Sequence, residues 1–400
     1  MKNAVLNTNL LLIYLLTLLL YWTKLFPDLN NNQALVYVSS FVLVVMTVSY
    51  YTQAFGKKAF DNEDRVLLAV FTVLIIGHTV FSQTTMIQAL NIYFTFCLYL
   101  VLSKVAFNEK IIYSAIFLTF VLLSFLDLPA VIAGILNPSN QYSGFSGVFT
   151  SANSIGDWGC TALLCLLLIY EGVNKNRKMK IFIGLIFLFI VIFASHMRSA
   201  LLLLAVWWLT NRLLKRQWKR GVIYVGFITM LTVLGYYMVI SEVFSVNASR
   251  TELELFGKDA SSRGRSEQIY FALQKFDITP FGEGRGIVNA SVADEVRYAV
   301  HNTVVGSLLE YGLLIFIFYF FFWFRLFKRG PNITASFILA YHVLLFFEPE
   351  NFFSNQLLSF MAFSVTIITE GTYKRKQTEM QNIIDSKDIN HNFFQEKVKI

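Results

Sequence analysis

The sequence predicts an all-α polytopic membrane protein with about 12 transmembrane helices and one long extracytoplasmic loop that contains short amphipathic helices. Hydrophobic residues make up 56% of the 400 residues and charged residues only 14%, whereas soluble domains average roughly 45–50% apolar and about 25% charged residues. Apolar runs of membrane-spanning length recur along the chain. The basic residues also concentrate in the short connections on one side of these runs.

Each predicted span is an apolar run close to the roughly 20 residues that an α-helix needs to cross a bilayer. The third and fourth spans are separated by only a few polar residues around 82–85, which predicts a tight helical hairpin. Residues 1–240 hold spans one to nine, 241–302 form the long loop, 303–370 hold spans ten to twelve, and 371–400 form a tail. The twelve runs lie at about 9–25, 34–51, 66–84, 86–103, 111–128, 156–170, 181–196, 198–214, 221–240, 303–324, 333–347 and 355–370.

The distribution of Lys and Arg predicts the orientation of the chain. With the N-terminus inside, the short cytoplasmic connections hold 18 of the 33 basic residues and the short outer connections hold two, Lys24 and Arg198. We therefore expect a multi-pass protein of the plasma membrane, with both termini cytoplasmic and the long loop outside. A nucleic-acid partner is not expected despite the formal net charge of +8, because the basic residues form no face on a soluble domain.

The cysteines and the glycine-rich turn give no cofactor signal. The three cysteines lie in apolar runs without the spacing of metal ligands. The Gly-x-Gly-x-Gly at 282–286 follows no evident strand, so it is not a dinucleotide fingerprint. A backbone nest for phosphate, which would include Gly284, is the weaker alternative. No cofactor and no catalytic metal are expected.

Two local elements are predicted inside the long loop. Ile269, Leu273 and Phe276 fall at helical spacing within residues 267–276, which predicts a short amphipathic helix lying against the outer membrane surface. A tight turn is predicted at residues 280–286, where Gly alternates with other residues after Pro280.

Three arginines are candidates for binding an anion. Arg198 begins a predicted span at the outer surface, where the alternative is a side chain that extends to the lipid headgroups. Arg263 and Arg265 open the predicted loop helix. Because the positive end of the helix dipole disfavours cations, helix stability does not explain these two arginines. A bound phosphate does explain them, since helix N-termini and guanidinium groups both bind phosphate.

His301 is the candidate general base. It lies in water at the start of span ten and can exchange protons there, although a lone histidine is more often structural. Asn302 is expected to cap the following helix, and it stands with Glu310 and Arg285 as a supporting position. Nine positions at about 100° each place Glu310 opposite His301 on a straight helix. We therefore expect Glu310 to pair with a neighbouring helix rather than to orient His301 directly.

The order of these motifs resembles the O-antigen ligase and Wzy-type polysaccharide polymerase superfamily. The chain shows Ser-x-x-Arg-Ser-Ala-Leu-Leu at 195–202, Ser-Arg-Gly-Arg followed by Tyr270, Pro-Phe-Gly-Glu-Gly, and His-Asn-Thr before Leu-Leu-Glu-Tyr-Gly-Leu. The likeness covers about residues 137–314. The sequence departs from the superfamily at Tyr270, where a Trp is common, and in offering two arginines. The arginine role therefore goes to Arg265 first and Arg263 second.

The resemblance implies a metal-independent glycosyltransferase on the outer side of the membrane, with an undecaprenyl-diphosphate-linked glycan as donor. Arg198 and Arg265, assisted by Arg263 and Gly284, would bind the diphosphate and stabilise its developing charge. His301 would act as general base on the acceptor sugar hydroxyl.

Three functions follow as expectations. The first is a polymerase that joins lipid-linked repeat units, and the second is a ligase that transfers finished polymer to another acceptor. A lipid-linked oligosaccharide flippase is the alternative from a different class, but the predicted span centres carry almost no charge, unlike most transport routes. Expected partners are the undecaprenyl-diphosphate-linked oligosaccharide, membrane lipid and other polysaccharide-assembly proteins.

Overall fold

The computed structural model describes residues 33–56, 60–102, 198–244, 254–255, 258–259, 263–296, 300, 302–329 and 332–347, with a few isolated positions between 10 and 186. Nine helices lie within this part of the chain, and they confirm that the fold is helical. One antiparallel pair of two-residue strands, β1 Glu254–Leu255 and β2 Lys258–Asp259, is an addition that the sequence did not predict. The helices are α1 Gln33–Gly56, α2 Asn62–Phe81, α3 Met86–Leu102, α4 Arg198–Lys215, α5 Arg220–Phe244, α6 Arg263–Lys275, α7 Ile287–Val296, α8 Thr303–Arg329 and α9 Asn332–Phe347.

Helix α2 has apolar side chains on two opposite sides. Leu67, Phe71 and Ile75 are buried against the protein at a spacing of three or four residues. A helix in water would carry polar residues on its other side. That side instead carries large apolar side chains with 59–68% of their surface exposed, at Val66, Val73, Ile76 and Val80. Such a helix is suited to a surface that faces lipid, as expected for a membrane protein.

Two described helices are long and apolar enough to cross a bilayer, Asn62–Phe81 and Thr303–Lys328. Shorter apolar segments lie at Ser40–Thr52, Met86–Val101 and Arg220–Val233. The tight hairpin predicted between the third and fourth spans is confirmed by α2 and α3. The predicted runs at 9–25, 111–128, 156–170, 181–196 and 355–370 lie wholly or mostly outside the described residues.

The start of α2 differs by four residues from the predicted span at 66–84. A capping box at Asp61 and Asp64 begins the helix earlier, because each carboxylate accepts a hydrogen bond from the other residue's backbone N–H, at 2.9 Å and 3.2 Å. Asp64 also accepts from Arg325 of α8 at 3.0 Å. Asp61 and Asp64 precede the apolar run in sequence, so a prediction from the run alone did not include them.

Four helix ends meet around Arg220, the first residue of α5. Its guanidinium donates to the carbonyls of Phe327 and Lys328, at 3.2 Å and 2.9 Å, and to Asn332 Oδ1 at 2.8 Å. Asn332 Nδ2 in turn donates to Leu214 O at 3.5 Å. A cation at the free carbonyls of a helix end is favourable. The end of α4, the start of α5, the end of α8 and the start of α9 therefore lie at one end of the bundle.

The amphipathic helix of the long loop is confirmed as α6, but its buried side differs from the expected one. Gln268, Ile269 and Ala272 are almost fully buried, whereas Leu273 is 37% exposed. Helix α6 packs against α5, α7 and α8. The positions of these neighbouring helices therefore determine which side of α6 is buried. That side is not the apolar stripe through Ile269, Leu273 and Phe276.

Candidate active site

Helix α8 is interrupted at Gly312, where the backbone adopts φ 81° and ψ 169°. In an uninterrupted helix the N–H groups of Leu313 and Leu314 would donate to the carbonyls of Leu309 and Glu310. The interruption breaks both of these bonds and leaves two donors and two acceptors without a partner inside the helix. In a membrane-spanning helix such groups need partners from the protein itself.

The glycine-rich turn supplies all four partners, through residues 279–284. Two of its carbonyls accept from the freed N–H groups, and two of its N–H groups donate to the freed carbonyls. The four bonds run from Leu313 N to Thr279 O (3.0 Å), Leu314 N to Pro280 O (3.1 Å), Glu283 N to Leu309 O (2.9 Å) and Gly284 N to Glu310 O (3.0 Å). The turn therefore replaces two hydrogen bonds within the helix by four bonds to its own backbone, and these bonds fix the long loop onto α8.

Glycine is required where the turn and the helix meet. Gly282 and Gly312 both have positive φ, and a Cβ on either would overlap backbone atoms of the other segment. Gly284 has φ 120°, and a Cβ there would lie 3.0 Å from backbone atoms of Gln83. Side chains other than hydrogen disfavour this backbone region and would also separate the two segments.

The expectation that Gly284 binds phosphate is corrected by these contacts, because its N–H donates to the Glu310 carbonyl. The neighbouring N–H groups are engaged as well. Gly282 N donates to Thr279 Oγ1 at 2.8 Å, and Arg285 N donates to Thr84 Oγ1 at 3.1 Å. A phosphate nest needs N–H groups that have no protein acceptor.

A second contact holds the turn from the side of the α2–α3 hairpin. His78 Nδ1 lies 2.6 Å from Phe281 O, and its Nε2 lies 2.7 Å from Thr84 Oγ1. Because a carbonyl only accepts, Nδ1 carries the proton of this contact. Gln83 N also donates to Glu283 O at 3.0 Å. His78 thus links α2 to the glycine-rich turn, and it fixes the turn from a position about 200 residues earlier in the chain.

His342, the other buried histidine among the described residues, has different surroundings. Its Nδ1 lies 2.8 Å from Ile338 O of its own helix, and its ring is surrounded by Tyr319, Phe320 and Trp323. Among the described residues it makes no hydrogen bond to another helix. It is therefore part of an aromatic cluster and not an interhelical polar link.

Glu310 is fully buried and pairs with α7, which confirms that its partner lies on a neighbouring helix. Its Oε1 accepts from Asn289 N at 3.3 Å and from Asn289 Nδ2 at 3.1 Å. The second oxygen, Oε2, has no hydrogen-bond partner in the described part of the chain. Arg285 lies close enough for electrostatic attraction to this carboxylate.

Asn289 connects Glu310 to the residue that precedes His301. Its Oδ1 accepts from Val300 N at 3.0 Å. On the other side, Asn302 Oδ1 accepts from Val305 N at 2.9 Å, and Asn302 O accepts from Gly306 N at 2.9 Å. The predicted helix cap at Asn302 is therefore confirmed.

His301 itself lies outside the described residues. Val300 and Asn302, which flank it, are only 1% exposed. Both are held by hydrogen bonds to α7 and α8, so the backbone entering and leaving position 301 is fixed.

The candidate arginines all begin helices, as the sequence predicted. Arg198 is the first residue of α4, and α6 starts at Arg263 with Arg265 in its first turn. The side chains of these three residues lie outside the description. Because α4 ends beside Arg220, the backbone of Arg198 lies at the opposite end of α4 from that cluster.

Residues 183–320 match the family described as O-antigen ligase. The resemblance to the O-antigen ligase and Wzy-type polymerase superfamily is thereby confirmed. The match includes α4 to α7 and the first part of α8, and all candidate site residues lie inside it. No curated protein matches the chain. The protein thus has an O-antigen ligase or polymerase type of function, and proteins of this type are glycosyltransferase-like.

Sequence reasoning missed Asn289, Thr84 and the role of the glycine-rich turn. Asn289 lies in α7 beside Val288 and Val292, which are fully buried at helical spacing. That spacing was a usable signal for α7. No local signal showed that the turn would replace hydrogen bonds of α8, because its partners lie 26 or 34 residues later in the chain.

Proposed function

We propose that the protein is a Wzy-type polysaccharide polymerase. It transfers a glycan from an undecaprenyl-diphosphate donor to a sugar hydroxyl of a lipid-linked acceptor on the outer face of the membrane. The observation that carries the proposal is the O-antigen ligase match over residues 183–320. That segment contains Arg198, Arg263, Arg265 and His301, together with the structure that fixes both neighbours of His301.

The proposed reaction is a single displacement at the anomeric carbon. His301 accepts the proton of the acceptor hydroxyl as the oxygen attacks. The new glycosidic C–O bond forms while the C–O bond to the diphosphate breaks, and undecaprenyl diphosphate leaves with the electron pair. One displacement inverts the anomeric centre.

Arg198 and Arg265 stabilise the charge that develops on the diphosphate, and Arg263 is the second arginine of this group. Helix starts at Arg198 and Arg263 support this assignment, because a helix N-terminus adds backbone N–H groups and a favourable dipole to the guanidinium charge. The arginines supply the neutralisation that a metal ion would otherwise supply, so we expect the reaction to proceed in EDTA.

The outer location follows from the distribution of basic residues, with several spans and both termini cytoplasmic. Labelling of single cysteines with an impermeant reagent on intact cells tests this topology. A cysteine placed in the long loop should be labelled, whereas one in the tail should be labelled only after permeabilisation. Labelling of the tail on intact cells would contradict the topology.

The test of the reaction is single replacement of Arg198, Arg265 and His301 by Ala in cells that lack the chromosomal copy. Each variant should lose long surface glycan and retain single lipid-linked repeats. Arg212→Ala is the matched control, because Arg212 is an exposed arginine on the same helix as Arg198 but near its other end. Normal glycan ladders in all three variants, with protein present at wild-type level, would refute the assignment.

The family description favours a ligase as the second candidate. In that case the same variants would accumulate finished polymer on the lipid carrier. Glycan confined to the inner leaflet would indicate a flippase instead. The three outcomes therefore separate the three functions in one experiment.

A further inference from the structure

We propose that Glu310 and Asn289 are positioning residues for His301, and that they act as a relay from the buried carboxylate to the backbone of Val300. This inference rests on the proposed function, since it assumes that His301 is the general base. It adds two residues that do not contact substrate but determine where the base stands.

The Glu310 carboxylate determines the orientation of the Asn289 side chain. An amide group presents an oxygen on one side and an NH2 group on the other. Glu310 Oε1 accepts from Asn289 Nδ2 at 3.1 Å, and a carboxylate oxygen in this position cannot accept a hydrogen bond from the amide oxygen. The carboxylate therefore selects one of the two amide orientations and directs Oδ1 towards Val300.

In this orientation Asn289 Oδ1 holds the backbone of Val300. It accepts from Val300 N at 3.0 Å. If the amide were reversed, its NH2 group would face the Val300 N–H, and two donors would oppose each other in a buried place. An unmatched buried donor costs about 1–3 kcal/mol. The Glu310 carboxylate thus stabilises the position of Val300 through an intermediate side chain.

The hydrogen bond from Val300 N to Asn289 Oδ1 fixes the backbone on the N-terminal side of His301 only. Asn302 fixes the other side, because its Oδ1 and its carbonyl accept from Val305 and Gly306 in the first turn of α8. Without the relay, the backbone before His301 would lose its hydrogen-bonded support, while the cap would remain. The base would then be free to shift relative to the acceptor hydroxyl, and a displacement of about 1 Å in a catalytic group can lower a rate about 100-fold.

The alternative to this relay is direct orientation of the His301 ring by Glu310. Helical periodicity does not support it, because α8 begins at Thr303, after His301. The observed hydrogen bonds of Glu310 lead to α7. Glu310 therefore acts on the segment before His301 through Asn289.

The experiment measures glycan transfer by purified protein in proteoliposomes, using lipid-linked repeat units extracted from cells that carry His301→Ala. Donor concentration is varied so that kcat and KM are obtained separately. We expect Asn289→Ala and Glu310→Ala each to lower kcat about 100-fold, with KM for the donor within about twofold of wild type. This split is expected because the diphosphate-binding arginines are not part of the relay.

Two further variants show whether the pair acts as one unit. The double variant Asn289→Ala with Glu310→Ala should be no slower than either single variant, because each removal already breaks the relay. Glu310→Gln keeps an acceptor oxygen for Asn289 Nδ2. It should therefore recover most of the kcat that Glu310→Ala loses.

Asp64→Asn is the matched control for a purely structural effect. Asp64 is also a buried carboxylate with protein donors, but its partner Arg325 lies near the far end of α8. It should lower thermal stability without lowering kcat per folded molecule. If Asn289→Ala and Glu310→Ala resemble Asp64→Asn in this respect, or if their losses multiply in the double variant, the relay is refuted.

The failure of this inference is distinguishable from failure of the proposed function. Full kcat in Asn289→Ala, with His301→Ala inactive, would remove the relay and leave the polymerase assignment intact. If His301→Ala fails to accumulate lipid-linked repeat units, the proposed function itself fails.

Discussion

The two parts of α8 on either side of Gly312 are stabilised in different ways. The buried side of residues 303–311 carries Thr303, Ser307 and Glu310, all at most 1% exposed. The buried side of the second part, up to Arg329, is largely aromatic. Phe318 and Phe322 stack or pack edge-on against Phe71 of α2 and Phe96 of α3, at centroid distances of 5.1–5.3 Å.

The two parts of α8 therefore differ in how strongly their buried side chains depend on particular partners. Aromatic contacts are many, individually weak and tolerant of small shifts. A buried polar group needs a particular partner in a particular place, and a network of such groups is costly when one member is missing. We therefore expect substitutions before Gly312 to change catalysis and substitutions after it to change mainly stability.

The largest effect should come from Gly312→Ala, which breaks the boundary between the two parts. The new Cβ would overlap the backbone of Phe281 and Gly282, and φ 81° with ψ 169° is a region that L residues strongly disfavour. Strain of about 1–3 kcal/mol and overlap of a further 1–3 kcal/mol, on the order of typical overpacking, should release the turn. Folded yield in detergent and glycan transfer should both fall sharply.

Gly306→Ala is the control for that substitution on the same helix. A Cβ there would lie 3.9 Å from the Val300 Cβ, which is an ordinary contact. Near-wild-type yield of Gly312→Ala would show that the turn does not depend on the break in α8.

Arg325→Met should have the next largest effect and should act on stability alone. It removes the guanidinium group that donates to the buried carboxylate of Asp64, and breaking a buried ion pair costs about 3–5 kcal/mol. We expect the lower part of this range, because the Arg325 side chain is 14% exposed and Asp64 still accepts from Asp61 N. The measurement is thermal unfolding in detergent beside kcat per folded molecule, and a fall in kcat would contradict the separation.

Thr84→Val should destabilise the protein less than Arg325→Met does, but it should lower the rate of glycan transfer more. Valine has nearly the shape of threonine and removes only the hydroxyl that accepts from Arg285 N and contacts His78 Nε2. The loss of these bonds should cost about 1–3 kcal/mol and loosen the turn that packs on Glu310. Thr79→Val on α2 is the control, because among the described residues the Thr79 hydroxyl bonds only within its own helix. Equal transfer rates in the two variants would argue against a role for the turn.

The smallest effect is expected for Glu63→Gln. Its carboxylate lies 3.4 Å from Arg325 Nη2 and is 58% exposed, and exposed ion pairs contribute at most about 1 kcal/mol. Unfolding midpoints of the variant and wild type should agree closely at moderate salt. A loss as large as that of Arg325→Met would show that Glu63, and not Asp64, is the main partner.

Much of the fold and part of the site could be predicted because they depend on neighbours in sequence. Apolar runs and their flanking charges predicted α2, the hairpin to α3 and α8, and the residue type at 302 predicted the helix cap. The arginines at the starts of α4 and α6 were also recognised from local pattern. His301, Arg198, Arg263 and Arg265 stay predictions as catalytic residues.

The failures have one physical cause, which is that hydrogen-bond partners distant in sequence follow no periodicity. Gly284 looked like a phosphate donor because a glycine-rich turn exposes its N–H groups until another segment occupies them. Leu273 was expected to be buried because it lies at helical spacing from the apolar residues Ile269 and Phe276. Helices α5, α7 and α8 cover another side of α6.

By itself the sequence predicted a helical membrane protein that resembles the O-antigen ligase and polymerase superfamily, with a capped helix close after His301. Composition, run length and motif order are sufficient for those conclusions because they require no knowledge of contacts. Only the tertiary structure decided that the turn at 279–284 completes the broken helix α8 and that Asn289 joins Glu310 to Val300. Those bonds form because buried backbone and amide groups must find partners wherever the folded chain brings them.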